Sequence, residues 1–281
     1  MKSTLICSTY NSPHFLELVL DSLLYQDTNN FELLIADDGS GEETKTLIDN
    51  FAQSAPFPVK HIWHEDKGWR KSQIHNTAIK QSSHEHLIFI DGDCVLEKCF
   101  ISDHQLIFKR ERENYILMGR RVELGPQITS ALTKKNYRAL LCSPMPTALY
   151  ISSFKNDSRG VLRRSSIKSP ILRKLIKADN VSDLLGCNFS LNKKTMILIN
   201  GFNDDYERGE DGDIFVRIRN NNHKLIGMKY FAPMYHLFHP RGDYQYVDDH
   251  YEEILRKTDY LRCQNGLDKY LNSIDPGNLS N

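Results

Sequence analysis

An α/β fold, with a mostly parallel central sheet flanked by helices, is the class the sequence predicts. Three observations predict it. Short apolar runs alternate with helical stretches over the first 120 residues. Most of these runs end in a polar or acidic turn. The chain has 281 residues, 40 % of them apolar, which is enough for one large core. Strands separated by helices pair in parallel through right-handed crossovers. Ligands in such sheets gather at the carboxyl ends of the strands.

The elements follow in order. Thr4 to Thr9 reads as a buried strand. Ser12 caps a helix that Pro13 opens, where a missing N–H costs nothing. Phe15, Leu16, Val19, Leu23 and Leu24 supply its stripe. Phe31 to Ala36 is a second strand, ending in Asp37-Asp38-Gly39-Ser40, and Glu42 to Phe51 a second helix. Val59 to Trp63 is the third strand, with Trp63 expected in the core, and Ser72 to Lys80 the third helix. Leu87 to Ile90 is the fourth strand and runs into Asp91-Gly92-Asp93. Further on, Leu184 to Leu191 is strand-like and Lys193 to Ile199 helical. Asn200-Gly201 is a turn, and an acidic stretch from Asp204 to Asp213 leads into a helix through Ile218. The chain from Gln245 onward reads as helical, fraying after Pro276.

Charge narrows the function classes. There are 36 Lys and Arg against 36 Asp and Glu. A neutral chain lacks the footprint of a general nucleic-acid binder. The neutrality is a sum of opposed regions: residues 155–180 hold eight bases and two acids, so they carry +6 and the remainder −6. Leu162, Ile167, Ile171, Leu172, Leu175 and Ile176 are interleaved with those bases. The segment reads either as a solvated helix or acceptor-side loop, or as a contact for anionic membrane or a phosphorylated, lipid-linked acceptor. No run reaches the ~18 apolar residues of a spanning helix. The N-terminus does not read as a signal peptide. The six cysteines form no C-x-x-C pair and read as reduced thiols of a cytoplasmic protein.

Several groups can carry chemistry. Asp91 and Asp93, one residue apart at a strand end, can hold a hard cation such as Mg²⁺ or Mn²⁺; the plain alternative is an acidic turn. Asp37 and Asp38 can accept hydrogen bonds from a ribose or base, or simply form an Asx-turn. Glu210, Asp211 and Asp213 complement a helix dipole, and a carboxylate there can also serve as general base. His236 and His239 are spaced to face one way, and imidazole suits Mn²⁺ or Zn²⁺. Trp69, in a loop, can stack on a sugar or base. There is no G-x-S-x-G elbow, no G-x-x-x-x-G-K-[ST] loop and no G-x-G-x-x-G after the first strand.

In order, Ser8-Thr9-Tyr10-Asn11, Asp37-Asp38-Gly39-Ser40, Asp91-Gly92-Asp93 and Glu210-Asp211 resemble a family 2 glycosyltransferase of the GT-A fold. Gly186-Cys187-Asn188-Phe189-Ser190, Asn200-Gly201-Phe202-Asn203 and Gly209-Glu210-Asp211-Gly212-Asp213 are similar to the carboxyl-terminal motif of three related groups. These are β-1,4-galactosyltransferases, chondroitin-polymerase-like enzymes and polypeptide N-acetylgalactosaminyltransferases. The resemblance covers about residues 3–240. It implies that Thr9, Tyr10, Asn11 and Asp38 contact the nucleotide, with Asp37 beside them. It further implies that Asp91 approaches the ribose and Asn188 lines the sugar pocket. Asp93, with His239 and His236, would bind Mn²⁺ or Mg²⁺. Asp211 would be the base, and Glu210 would hold the acceptor. Many members carry Arg-Asn where this chain has His75-Asn76, so Arg70 or Lys71 is expected to supply the cation. No tryptophan precedes Glu210 in Tyr206-Glu207-Arg208-Gly209, so the acceptor pocket differs.

The implied plan is a catalytic domain at 1–244, with a nucleotide-binding half at 1–120 and an acceptor-binding half at 121–244, then a helical extension at 245–281. The implied reaction moves a hexose or N-acetylhexosamine, with inversion, from a UDP-sugar to a hydroxyl of a lipopolysaccharide- or capsule-type glycan. It would take place in the cytoplasm or at the inner face of the plasma membrane. A nucleotidyltransferase acting on a sugar phosphate and a non-catalytic sugar-binding module are the rival readings.

Overall fold

The computed structural model describes residues 1–111, 115–165, 167, 169–175, 185–240, 253–254 and 256–272. Four parallel strands form its frame: β1 (Ser3–Thr9), β2 (Phe31–Asp37), β3 (Val59–Trp63) and β4 (His86–Asp91). Between them run α1 (Pro13–Leu23), α2 (Glu42–Ser54) and α3 (Lys71–Gln81). The expected alternation is observed. β1, β2 and most of β4 are buried on both faces, with apolar centres, because helices cover both sides of a crossover sheet. Leu5, Cys7, Leu33, Ile35, Ile88 and Ile90 face one core layer, with Leu16, Val19 and Phe100. Ile6, Leu34, Ala36, Leu87 and Phe89 face the other, with Ile74, Ala78 and Ile79.

The second half is interleaved with the first. After β4 come β5 (Cys94–Leu96), α4 (Phe100–Glu111), β6 (Tyr115–Met118), β7 (Val122–Glu123), α5 (Pro126–Ala131), α6 (Thr147–Phe154) and α7 (Pro170–Leu175). Then follow β8 (Phe189–Asn192), α8 (Lys193–Ile199), α9 (Glu210–Asn220), β9 (Lys224–Gly227) and β10 (Met234–His236). The main sheet has the order β3-β2-β1-β4-β8-β6-β9, and β8 runs antiparallel to both β4 and β6. Residues on either side of position 120 therefore share one sheet. A second sheet has the order β5-β10-β7.

Several expectations need correction. β8 begins at Phe189, and Leu185 to Asn188 is a turn whose Asn188 N–H donates to Leu185 O at 3.0 Å. Trp63 is not core: it is 52 % exposed and donates its indole N–H to Ser40 O at 3.0 Å. In the C-terminal extension 253–254, 256 and Asp268–Leu271 are helical and 257–267 is irregular, while 245–252, 255 and 273–281 lie outside the described residues. The irregular chain is held because Asn200, Asn220 and Asn221 donate side-chain N–H groups to the carbonyls of Cys263, Tyr260 and Leu261 at 2.9, 3.1 and 2.8 Å. In 155–180, the described residues form a 3-10 turn at Val161–Arg164 and the short α7. Two of its bases are structural. Arg164 donates to Ser143 O at 2.8 Å, and the buried Arg173 donates to Gly227 O and Lys229 O, each at 3.2 Å.

One cross-link fixes the second half against the first, and a second buried pair ties α9 to the turn after α8. Asn76 of α3 donates to Phe202 O at 2.8 Å and to Asp204 Oδ1 at 2.9 Å, and accepts the Phe202 N–H at 2.9 Å. Arg217 of α9 is fully buried; it donates to Asp213 at 3.0 Å and to Gly201 O at 2.8 Å. Removing one partner of such a pair strands a charge in the core. Asp213→Ala is therefore expected to cost about 3–5 kcal/mol in urea unfolding; a loss under about 1 kcal/mol, the scale of an exposed pair, would contradict this role.

Candidate active site

Register places the first group. Thr9 of β1 lies beside Asp37 of β2, and Ser8 lies beside Asp91 of β4. The carboxyl ends of three strands thus open on one edge, where a cleft of about 1460 Å³ is lined by Thr9, Tyr10, Asp38, Asp91 and Asp93. The Thr9 hydroxyl is buried without a partner, as expected of a donor awaiting a ligand. Asp37 is fully buried, accepts the Ser40 N–H at 2.8 Å and bonds His61 Nε2 at 2.8 Å, so it shapes the turn rather than lining the cleft. Asp38 accepts the Arg70 N–H at 2.9 Å and lies 2.6 Å from His64 Nε2. Gly39 is required here: its φ is +99° and a Cβ would meet Asp66 Cα at 2.6 Å. Asn11 holds φ +45° and accepts the Gly41 N–H at 3.0 Å, clasping the second strand's turn. Tyr10 donates its hydroxyl to Asp66 at 2.8 Å.

The second group comes from the small sheet. His236 lies opposite Cys94 in β5 and Glu123 in β7, next to Asp93. His236 Nε2 and His239 Nε2 lie 3.4 and 3.2 Å from Asp93 Oδ2. His236 Nδ1 lies 3.2 Å from Glu123 Oε2. The ligand atoms of Asp93, His236 and His239 all fall within 4.8 Å of one another. Adjacent ligands at ~2.1 Å from an octahedral ion stand about 3 Å apart, so this donor set fits a divalent metal. Burial disfavours the charged form of Asp93, but hydrogen bonds from His236 and His239 hold its pKa well below the ordinary carboxylate range. Burial also opposes protonation of His236, yet its hydrogen bonds to Asp93 and Glu123 hold its pKa up at about 10. Glu123 and Arg121, 2.6 Å apart, are contributions the sequence reading missed. They alternate around Val122 in a two-residue strand, a pattern too short to read without its partner β10.

The third group is joined to the first by a lysine. Lys71, at the start of α3, places its Nζ 2.9 Å from Asp91 and 3.2 Å from Glu210. Arg70 turns its guanidinium to Glu65 O instead. His75 supplies no charge either: burial pushes its pKa down to about 3, and it stacks on Phe202 at 4.5 Å. The cation expected at Arg70 is therefore Lys71. Asp211, next to Glu210 at the start of α9, accepts the N–H groups of Gly212 at 2.8 Å and Gly186 at 3.2 Å. Burial and the Glu210 carboxylate push its pKa up to about 6. Such a group is poised to take a proton near neutrality.

Asn188 departs from its expected place. It is fully buried and donates to Arg120 O at 2.9 Å and Ala232 O at 3.3 Å, while His104 Nε2 lies 3.2 Å from its Oδ1. It supports the wall beneath the cleft rather than lining a sugar pocket. Trp69 does line the cleft, with the Arg208 guanidinium 5.0 Å from its ring centre. Among the described residues no helix is long and apolar enough to cross a membrane.

The glycosyl transferase family 2 profile matches residues 4–195, and that of the N-terminal domain of galactosyltransferase matches 171–240. The poly(ribitol-phosphate) beta-N-acetylglucosaminyltransferase TarS of Staphylococcus aureus is 24 % identical over 172 residues, covering 56 % of this chain and 29 % of TarS. Chondroitin synthase of Pasteurella multocida is 25 % identical over 119 residues, 42 % of this chain and 12 % of that enzyme. The chain thus spans less than a third of the length of either relative. Residues 1–349 of TarS with UDP-GlcNAc superpose with a TM-score of 0.60 at 16 % identity, covering 96 % of this chain and 69 % of that one. A mannosyltransferase of Pyrobaculum calidifontis with GDP-Man and Mn²⁺ gives 0.59 at 17 % identity, covering 87 % and 59 %. These structures share the GT-A fold with this chain. With more than half of its length matched by the family profile, the chain belongs to glycosyl transferase family 2.

Proposed function

We propose that the protein moves a hexose or N-acetylhexosamine from a UDP-sugar to a hydroxyl of a growing surface glycan of lipopolysaccharide or capsule type, free or lipid-linked, with inversion. It works in the cytoplasm or at the inner face of the plasma membrane, where its buried thiols stay reduced. The observation that carries the reading is the Asp93–His236–His239 cluster at the strand edge that also holds Thr9 and Asp38. A sugar-binding module has no need for both a metal-carboxylate pair and a separate Glu210-Asp211, and a nucleotidyltransferase begins with a glycine-rich, basic loop after the first strand, where this chain has Ser8-Thr9-Tyr10-Asn11-Ser12-Pro13. The donors named in the related structures, UDP-GlcNAc and GDP-Man, support a nucleotide-sugar.

In this reading Thr9 donates its unpartnered hydroxyl to the nucleotide, and Asp38 accepts from the base. Mn²⁺ or Mg²⁺ held by Asp93, His239 and His236 supplies, when bound, positive charge for the diphosphate leaving group. Glu210 orients the acceptor. Asp211 takes the proton of the acceptor hydroxyl as that oxygen bonds to the anomeric carbon and the bond to the diphosphate breaks. A single displacement inverts the centre. Lys71 holds Asp91 and Glu210 together, and its charge keeps Asp211 from rising further.

Asp211→Asn is expected to lower transfer by about 10²–10⁴ while UDP titration gives an unchanged affinity. Equal loss of UDP binding would remove Asp211 from the role of base. Because Asp211 must be deprotonated to act, kcat/KM should fall below pH about 6, by ~tenfold per pH unit. Lys71→Met removes a positive charge beside this carboxyl pair and should move that limb to higher pH. Mn²⁺ at 100 times its Kd should stabilise the protein by about 2.7 kcal/mol in thermal shift. His239→Ala should weaken that response, and stabilisation identical to wild type would displace the metal from this cluster.

A further inference from the structure

α6 breaks the usual rule for surface helices. Its sequence, Thr147-Ala148-Leu149-Tyr150-Ile151-Ser152-Ser153-Phe154, contains no charge and is apolar on both faces. Leu149 and Ser152 are buried, packing toward the core cluster that includes Leu141 and Val161. Ile151 and Phe154, at i and i+3, and Tyr150, at i−4 from Phe154, form the outer face. That face is exposed, and Phe154 is 90 % accessible. Met145 just before the helix is 78 % accessible. The 3-10 turn packed against α6 adds Leu162, 67 % accessible. Five large apolar side chains facing water on two packed elements mark an interaction surface.

The charges around them choose the partner. Residues 143–175 contain seven Lys and Arg and a single acid, Asp157. Asp157 is turned inward: it accepts the Ser152 hydroxyl at 2.8 Å and the Gln127 and Ile128 N–H groups at 3.3 Å. Lys155, directly after Phe154, and Arg159 are exposed. An uncharged apolar ridge with an aromatic at its tip, beside the outward cations Lys155 and Arg159 and with Asp157 turned inward, complements an anionic bilayer: the side chains enter the headgroup boundary and the cations meet lipid phosphates. We propose that α6 and the Val161–Arg164 turn dock the protein on an anionic phospholipid surface. Lys155, Asn156 and Arg159 also line the cleft. The docked ridge is therefore the lip of the site, and an acceptor anchored in the bilayer meets it from that side. The contact centres on α6, upstream of most of the basic segment that charge alone singles out.

The test is flotation of the full chain with phosphatidylcholine vesicles with and without phosphatidylglycerol. The chain should float with the anionic vesicles and stay behind with neutral ones, and high salt should weaken the binding. Phe154→Ser/Leu162→Ser should weaken it about tenfold or more, since each removes a buried apolar anchor. The same variant should keep UDP-sugar hydrolysis and its unfolding midpoint; Ile151→Ser, at a separate position on the ridge, should weaken binding in the same direction. Failure of the wild-type chain to float, equal binding to neutral vesicles, or undiminished binding of both variants would overturn the proposal. So would light scattering that shows a dimer which the double variant dissolves, because a second copy would then cover the ridge. Flotation does not depend on transfer activity, so failure of the catalytic reading registers only in the hydrolysis assay.

Discussion

The pairing of β1 with β2 and β4 is the constraint on which the other features rest. Parallel strands in register end together, so Thr9, Asp37 and Asp91 arrive at one edge without any long-range design of their own. Turns after β2 and β4 then carry Asp38 and Asp93 into the opening. Everything added later in the chain is built onto that edge. β10 lays His236 beside Asp93, and α9 brings Glu210 to Lys71. A slip of one residue in β1 would exchange its side chains between the two core layers and move Thr9 and Ser8 out of register with Asp37 and Asp91.

That edge concentrates negative charge, which is costly to bury unless it is paired. The structure distributes the compensation over three places. Lys71 sits between Asp91 and Glu210, Arg121 beside Glu123, and the two imidazoles beside Asp93. Asp211 is the exception. Two backbone N–H groups hold it but among the described residues no cation pairs with it, so burial and the Glu210 carboxylate raise its proton affinity, while that of Asp91 is kept low by Lys71 despite burial. One cluster of like charges thus divides into carboxylates held ionised and one able to accept a proton.

What was legible in the sequence was local. An apolar run followed by Asp-Asp-Gly-Ser or Asp-Gly-Asp announces a strand and its terminal turn, and those residues stand where expected. The pair His236-x-x-His239 was also readable, because its spacing is carried by four consecutive residues. What failed depended on pairing or on a single helical step. Asn188 lies beside a strand whose antiparallel neighbours decide where its side chain points, and they turn it to the carbonyls of Arg120 and Ala232. Arg70 and Lys71 are adjacent, but α3 starts between them, and that one step sends lysine to the carboxylates and arginine to the loop. Within the C-terminal stretch 257–267 is irregular, because its carbonyls are claimed by Asn220 of α9, Asn221 just after it and Asn200 of the turn after α8. Such competition leaves no periodic trace.

The position of β8 has a consequence for how the molecule comes into being. It fills the gap between β4 and β6 although 70 residues separate it from β6 and 97 from β4 in the chain. Until Phe189 to Asn192 leaves the ribosome, β4 presents an open edge that is apolar from Leu87 to Ile90. The nascent N-terminal portion is therefore a sticky intermediate rather than an early domain, exposed to strand addition by other chains. Closing that edge is a non-local event, so folding should be slow and should complete only late in synthesis.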